Sequence, residues 1–253
     1  MPARWSTRFE LKPGRWVFVP TNEVVKEGRE LKAAIEQIWT APDYYYHLRP
    51  GGHVAALREH TASEVFLHLD VEDFFGSISA NRITRALKGR VSYETAREWA
   101  TKSVVRHPLD PKKTILPFGF VQSQILASLV LRDTAFGRRI HALSKRPEFV
   151  VTVYVDDILI SCPDMEAATE VAEELKAAAE RSKFVLSSKK TEGPANTVTA
   201  FNVVLAKHFL AISETRMNEF KAVLEATTSP RQRDGILRYI EQVNGSQAEE
   251  AAA

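Results

Sequence analysis

The chain has a single cysteine, Cys162, among 253 residues. No disulfide can form within it, and a reducing cytoplasm is the expected setting. No stretch approaches the ~20 uncharged apolar residues that a membrane helix requires, so no membrane partner is expected. The opening MPARWSTRFELKPGRW has no apolar core, so a secretory signal is not expected either. Neither sign of charge dominates: 34 Lys and Arg oppose 32 Asp and Glu, for a net +2, and no basic arm stands out. A nucleic-acid partner is therefore allowed without being demanded, because binding depends on where charge sits. Internal repeats and low-complexity domains are missing too, and only the terminal SQAEEAAA reads as a disordered tail.

What is present is an ordinary globular composition, 44% hydrophobic and 26% charged, with enough chain for one to three domains. Asn22 opens a predicted helix whose apolar face is Val24, Val25, Leu31, Ile35 and Ile38. YYYHLRPGGH reads as an irregular loop, broken by Pro50, Gly51 and Gly52. EVFLHLDVE, residues 64–72, is rich in strand formers and runs into Asp70. Helices are expected over 80–89, from the Ser92 cap to Val105, and in one long run from Ser123. FVVTVYVDDILIS, residues 149–161, reads as two buried strands around a tight turn at Val155–Asp157. Asp164 caps a further helix, short strands follow near 184–187 and 197–205, and two short helices fill 212–243 around Ser229 and Pro230. The order strand, helices, strand, strand, helix, strand suits an α+β fold, an antiparallel sheet with helices on one face.

Asp70 ends one predicted strand, and Asp156 and Asp157 occupy a hairpin turn. Were those strands neighbours, three carboxylates would meet at one sheet end. Phosphoryl transfer needs such a cluster, because its catalysis is mostly charge neutralisation and positioning by hard divalent cations held on carboxylates. Aspartate is also a common turn former, and both readings stand on the residues alone.

The motifs around these acids resemble those of bacterial reverse transcriptases, the class that includes retrons, group II introns and defence-associated enzymes. FLHLDVEDFFGSI resembles the first palm motif, LPFGFVQSQILASLVL the family's LPQG…SP…LSNL segment, and YVDD its second catalytic motif. FVLSSKKT resembles the downstream motif with a Lys-Thr pair. GRWVFVPT and RPGGHVAALREHT resemble the fingers segments ahead of the palm. The set comes in family order across about residues 9–205.

The resemblance implies a right-hand polymerase: N-terminal fingers over 1–62, a palm over 63–206 with an inserted fingers segment at about 81–115, a reduced helical thumb over 207–245, and the tail 246–253. Asp70, Asp156 and Asp157 match the catalytic, metal-binding aspartates, with Mg2+ as the implied ion and Mn2+ as its alternative. Phe75 matches the aromatic beneath the incoming sugar, whose ring excludes a 2′-hydroxyl and so selects dNTPs. Arg15 matches a basic fingers residue that contacts the triphosphate, and Lys190 a downstream proton donor or phosphate contact. Phe118 and Gly119 fall in the nucleotide-binding segment, where glycine would let the backbone pass close to substrate.

Three positions depart from the family. Phe118 stands for the usual Gln, Gln124 for the Pro after Ser123, and Gly76 for the Pro of many bacterial relatives. The implied partners are an RNA template, a DNA or RNA primer and dNTPs, with a structured non-coding RNA or an accessory protein beside them. The implied role is anti-phage defence or a retron-like element. The small thumb implies distributive synthesis. The alternatives are a catalytically inactive polymerase-like RNA-binding protein and an untemplated or protein-primed DNA polymerase. An RNA-recognition module, suggested by PFGFV and the βαββαβ-like order, is a further reading. It leaves Asp70 and YVDD unexplained.

Overall fold

The structure, a computed structural model, describes residues 4–12 and 14–252. A hairpin comes first, formed by β1 (Trp5–Lys12) and β2 (Arg15–Pro20). Nearly all of β1 is exposed, although Trp5, Thr7, Phe9 and Leu11 alternate with Ser6, Arg8, Glu10 and Lys12, and it is held by backbone pairing with β2. Thr21 caps α1 (Asn22–Ile38) by accepting a hydrogen bond from the Val24 amide at 3.4 Å. The segment expected as an irregular loop is instead built into the core. Tyr44, Tyr45 and Tyr46 are buried, Tyr45 bridges to Val153, and a 3-10 turn leads into α2 (Gly52–Glu59).

Next come β3 (Val65–Asp70), α3 (Ala80–Leu87), α4 (Tyr93–Ser103) and a small hairpin of β4 (Val105–Arg106) and β5 (Thr114–Ile115). The expected long helix from Ser123 is two helices, α5 (Ser123–Asp133) and α6 (Ala135–Leu143). It breaks at Thr134, an extended residue whose hydroxyl accepts from the Gly137 amide at 3.1 Å and so caps α6. The hairpin of β6 (Val150–Tyr154) and β7 (Asp157–Cys162) is followed by α7 (Met165–Arg181), capped by Asp164 as expected. Then come β8 (Glu192–Ala195), β9 (Thr197–Ala200), β10 (Val203–Ala206), β11 (Phe209–Ile212), α8 (Glu214–Ala226), α9 (Pro230–Val243) and α10 (Gly245–Ala252).

The strand expected over 197–205 is a hairpin, because Phe201 and Asn202 both take left-handed φ, +57° and +60°, and form a two-residue turn. The tail expected to be disordered from residue 246 is largely helix. Ala248 and Ala251 pack against the core, and the Gln247 amide serves as a strand partner for Ile212, accepting from its N–H at 2.7 Å and donating to its carbonyl at 3.0 Å. Residue 253 lies outside the described residues. Residues 184–187 form no strand but run against the end of β3, with the Leu186–Val71 bridge, the Ser187 amide donating to the Asp70 carbonyl and the Val185 carbonyl accepting from the Glu72 amide, while the strand beside β3 is β8.

The main sheet has the order β6-β7-β3-β8 with every neighbour antiparallel. β3 is buried along its whole length, so its two faces serve two cores. Val65, Leu67 and Leu69 enter the larger core with Ile125, Leu129 and Leu175 from the helices. Phe66 enters a second core with Val198, Leu205, Ile212 and Phe220. Strand alternation therefore puts His68 and Asp70 on the side of Phe66. The arrangement is α+β, as the sequence leads one to expect.

Candidate active site

The register of two strands builds the site. β3 and β7 pair with Asp70 directly opposite Asp157, and Tyr154 closes on Asp157 across the β6–β7 turn. Asp156 sits in that turn, and its carbonyl accepts from the Val71 amide at 3.0 Å, tying the turn to the end of β3. Asp70 is held from the other side by the Ser187 amide, which donates to its carbonyl at 2.8 Å.

The turn itself is strained. Val155 has φ +61°, a left-handed conformation that a β-branched residue adopts only at a cost, about 1–2 kcal/mol. His47 helps to hold it there. Its Nδ1 accepts from the Val155 amide at 2.9 Å, and its Nε2 meets Ser128 Oγ at 2.7 Å, where the ring donates. Burial pushes the His47 pKa down to about 4, so the ring stays neutral and keeps this acceptor.

Oxygens of Asp70, Asp156 and Asp157 all lie within 4.8 Å of one another. The three predicted aspartates therefore meet. Burial, and after it the charges of Asp157 and Asp70, raise the Asp156 pKa to about 6. An all-carboxylate donor set crowded in this way fits a hard divalent cation, which would relieve the repulsion. Lys190 reaches the cluster as well, its Nζ 2.7 Å from Asp70 Oδ2. Burial opposes its charge, but the bond to Asp70 and the charges of all three aspartates outweigh that and raise its pKa.

A cavity of about 490 Å³ adjoins the acids, lined by Arg15, Phe75, Phe118, Asp156 and Lys190 among others. Phe118 is packed edge-on to Phe75 at 5.8 Å between ring centroids, and the Arg15 guanidinium lies 4.8 Å above the Phe118 ring. The Phe118 carbonyl accepts from the Phe18 amide at 3.0 Å, so this segment is stitched to the β1–β2 hairpin that carries Arg15. Gly119 is outside the cavity lining. Its φ of +113°, and a Cβ that would stand 2.5 Å from the Phe18 carbonyl, show that its freedom serves close approach to β2. At Gly76, where many bacterial relatives have proline, the Asp73 carboxylate occupies the space that a Cβ would take.

The structure adds residues that motif reading misses. His68 Nε2 lies 2.8 Å from Asp157 Oδ1, and both side chains are largely buried. The signal was present, since a residue two before Asp70 on a strand shares its face. Asp73 and His107 also line the cavity, and no sequence pattern marks them.

Residues 22–220 match the family described as reverse transcriptase (RNA-dependent DNA polymerase). The chain is 22% identical over 214 residues to the Retron Ec86 reverse transcriptase of Escherichia coli, covering 82% of this chain and 63% of that protein. It thus spans less than two thirds of that relative's length. Among solved structures, a foamy viral protease-reverse transcriptase in complex with double-stranded DNA aligns with a TM-score of 0.49 at 16% identity, over 92% of this chain and 35% of the other. A telomerase from Candida albicans, in complex with a fragment of telomeric RNA, aligns at 0.48 and 10% identity, over 91% and 47%.

Proposed function

The chain belongs to the reverse transcriptase family, and we propose that it is an RNA-directed DNA polymerase adding dNTPs to a primer 3′-hydroxyl. The observation that carries this reading is the β3–β7 register, which sets Asp70 opposite Asp157 and gathers three carboxylates beside a cavity. Divalent cations bound there, Mg2+ or Mn2+, would neutralise phosphate charge and orient the attacking and leaving oxygens.

The remaining steps fall to the chain's own groups. Asp70 and Asp156 hold the cations, and Asp157 supports them electrostatically from a position fixed by His68. Arg15, resting on Phe118, takes the triphosphate, where a guanidinium fork suits phosphate oxygens. Phe75 floors the sugar and excludes a 2′-hydroxyl. Lys190, a half-exposed cation at Asp70, contacts the phosphates or protonates the leaving pyrophosphate.

In this reading residues 1–62 and about 81–115 are fingers, 63–206 the palm, and 207–245, with α8 and α9, belong to a helical thumb. The template is RNA and the primer DNA or RNA, with a structured RNA or accessory protein as further partner. The buried Cys162 and the lack, among the described residues, of any helix long and apolar enough to cross a membrane are consistent with a cytoplasmic enzyme. A place in a retron-like element or in anti-phage defence follows from relationship alone.

The test is primer extension on an RNA template with purified chain, Mg2+ and dNTPs. No dNTP incorporation on any RNA or DNA template, with Mg2+ or Mn2+, would overturn the reading.

A further inference from the structure

The near-neutral net charge conceals a strong segregation on the helical side of the molecule. A second cavity, of about 660 Å³, lies where α3, α6 and the ends of α5 and α7 meet, and shares no lining residue with the catalytic one. Arg82, Arg85, Arg132, Arg138, Arg181 and Lys183 line it, against one acid, Asp133. That acid is already engaged by Arg90, which donates to both of its oxygens at 2.8 and 3.1 Å. Among the described residues, none of the six cations is in a salt bridge, whereas Arg139 close by is paired with Glu174.

A single cation at the end of a helix has a local explanation. Arg85, Arg132 and Arg181 each stand in the last turn of theirs, where the helix dipole is worth about 0.3–1 kcal/mol. The dipole does not explain why three helix ends bring their cations to one cleft. Arg82 is committed to structure: it donates to the carbonyls of Ser77 and Ser182 and lies 4.2 Å above the Phe184 ring. Burial, and then the charge of Arg85 beside it, lower its pKa, so the cluster repels itself as it stands. Arg132 also lines a further cavity of about 690 Å³, where Arg49, Arg90 and Lys145 stand among the acids Asp43, Glu59 and Asp133, so the excess of cations is confined to the first cleft.

We propose that the cleft between α3, the ends of α5 and α7, and α6 binds the sugar–phosphate backbone of a nucleic acid lying outside the catalytic cavity. A row of unpaired cations over several elements suits a polyanion better than one small anion, and phosphate contacts need no base readout. The choice of nucleic acid as that polyanion rests on the polymerase reading. The test therefore reads binding without synthesis, so the two can fail separately.

Arg85, Arg181 and Lys183 are exposed and unpaired, so the full-length triple variant R85Q/R181Q/K183Q should melt like the parent. Binding is measured over a range of salt to a short primer–template duplex and to the same duplex extended by a long RNA or DNA hairpin. The variant should bind the short duplex normally. On the extended probe it should lose affinity, and the slope of log affinity against log salt should flatten by about 2–3. Loss on RNA and DNA extensions alike supports recognition of any backbone, and loss on RNA alone supports an RNA-specific site. Unchanged affinity and slope on the extended probe would overturn the proposal. So would an equal loss on the short duplex, or competition by polyglutamate as effective as that of RNA of equal charge.

Discussion

His68 Nε2 stands 2.8 Å from Asp157 Oδ1, diagonally across the β3–β7 pairing that sets Asp70 opposite Asp157. The ring is almost fully buried, and its other nitrogen has no hydrogen-bond partner among the described residues. His68 is thus a positioning residue that fixes one carboxylate of the cluster. Groups that orient metal ligands typically matter by about 10–100-fold in affinity or activity. H68L should keep its melting temperature, because little hydrogen bonding is lost, yet require more Mg2+ for half-maximal extension. H68Q should recover part of the loss. Titrating Mg2+ in primer extension alongside thermal melts checks this, and an unchanged Mg2+ requirement in H68L would refute it.

Removing a carboxylate should abolish chemistry without unfolding the chain. D70N and D156N shorten no side chain; D156N relieves charge repulsion, and D70N sets that relief against the loss of the Lys190 pair, so both proteins should stay soluble and melt close to the parent. Incorporation of dNTP should fall by at least ~10³-fold, equivalent to several kcal/mol of lost transition-state stabilisation. Near-parental extension by either variant would sink the catalytic assignment.

Phe75 should govern sugar choice. It lines the cavity with its ring against Phe118, and F75V or F75A would open space beneath the sugar. The ratio of rNTP to dNTP incorporation should rise in both, measured with each nucleotide on one RNA template. A parent enzyme that already takes rNTPs and dNTPs equally contradicts the assignment.

Acid should destabilise the palm from within. His60 is fully buried and bridges β6 and β7, with Ser161 Oγ 2.7 Å from one ring nitrogen and Thr152 Oγ1 2.9 Å from the other. Burial lowers its pKa to about 3. The unfolded chain binds a proton at this ring below about pH 6.5 while the folded chain does not, so stability falls as pH drops from there towards 3. Between pH 6.5 and 5 the loss from this one site should be about 2 kcal/mol. Urea unfolding across that interval should show a shallower pH slope for H60Q than for the parent. Identical slopes would mean that His60 titrates normally.

By itself the sequence determined the elements whose signals are local. The EVFLHLDVE and FVVTVYVDDILIS segments are apolar runs broken by acids, and they became β3 and the β6–β7 hairpin with the acids at one sheet end. Thr21, Ser92 and Asp164 stand just ahead of helix starts, and each is a cap. Tertiary structure decided the features whose partners are distant in sequence. The Tyr44–Tyr46 segment looks like a polar-flanked loop until it packs against β6. The tail from Ser246 looks disordered because small and acidic residues carry little burial signal, but Gln247 finds the free edge of Ile212 some 35 residues away. His68 gained its role only when register set Asp157 within reach, and the cations of α3, α5, α6 and α7 are interspersed with acids along the chain. Local free energies select helix or strand from neighbouring residues. Which side chains finally meet depends on register and packing between segments that no short window contains.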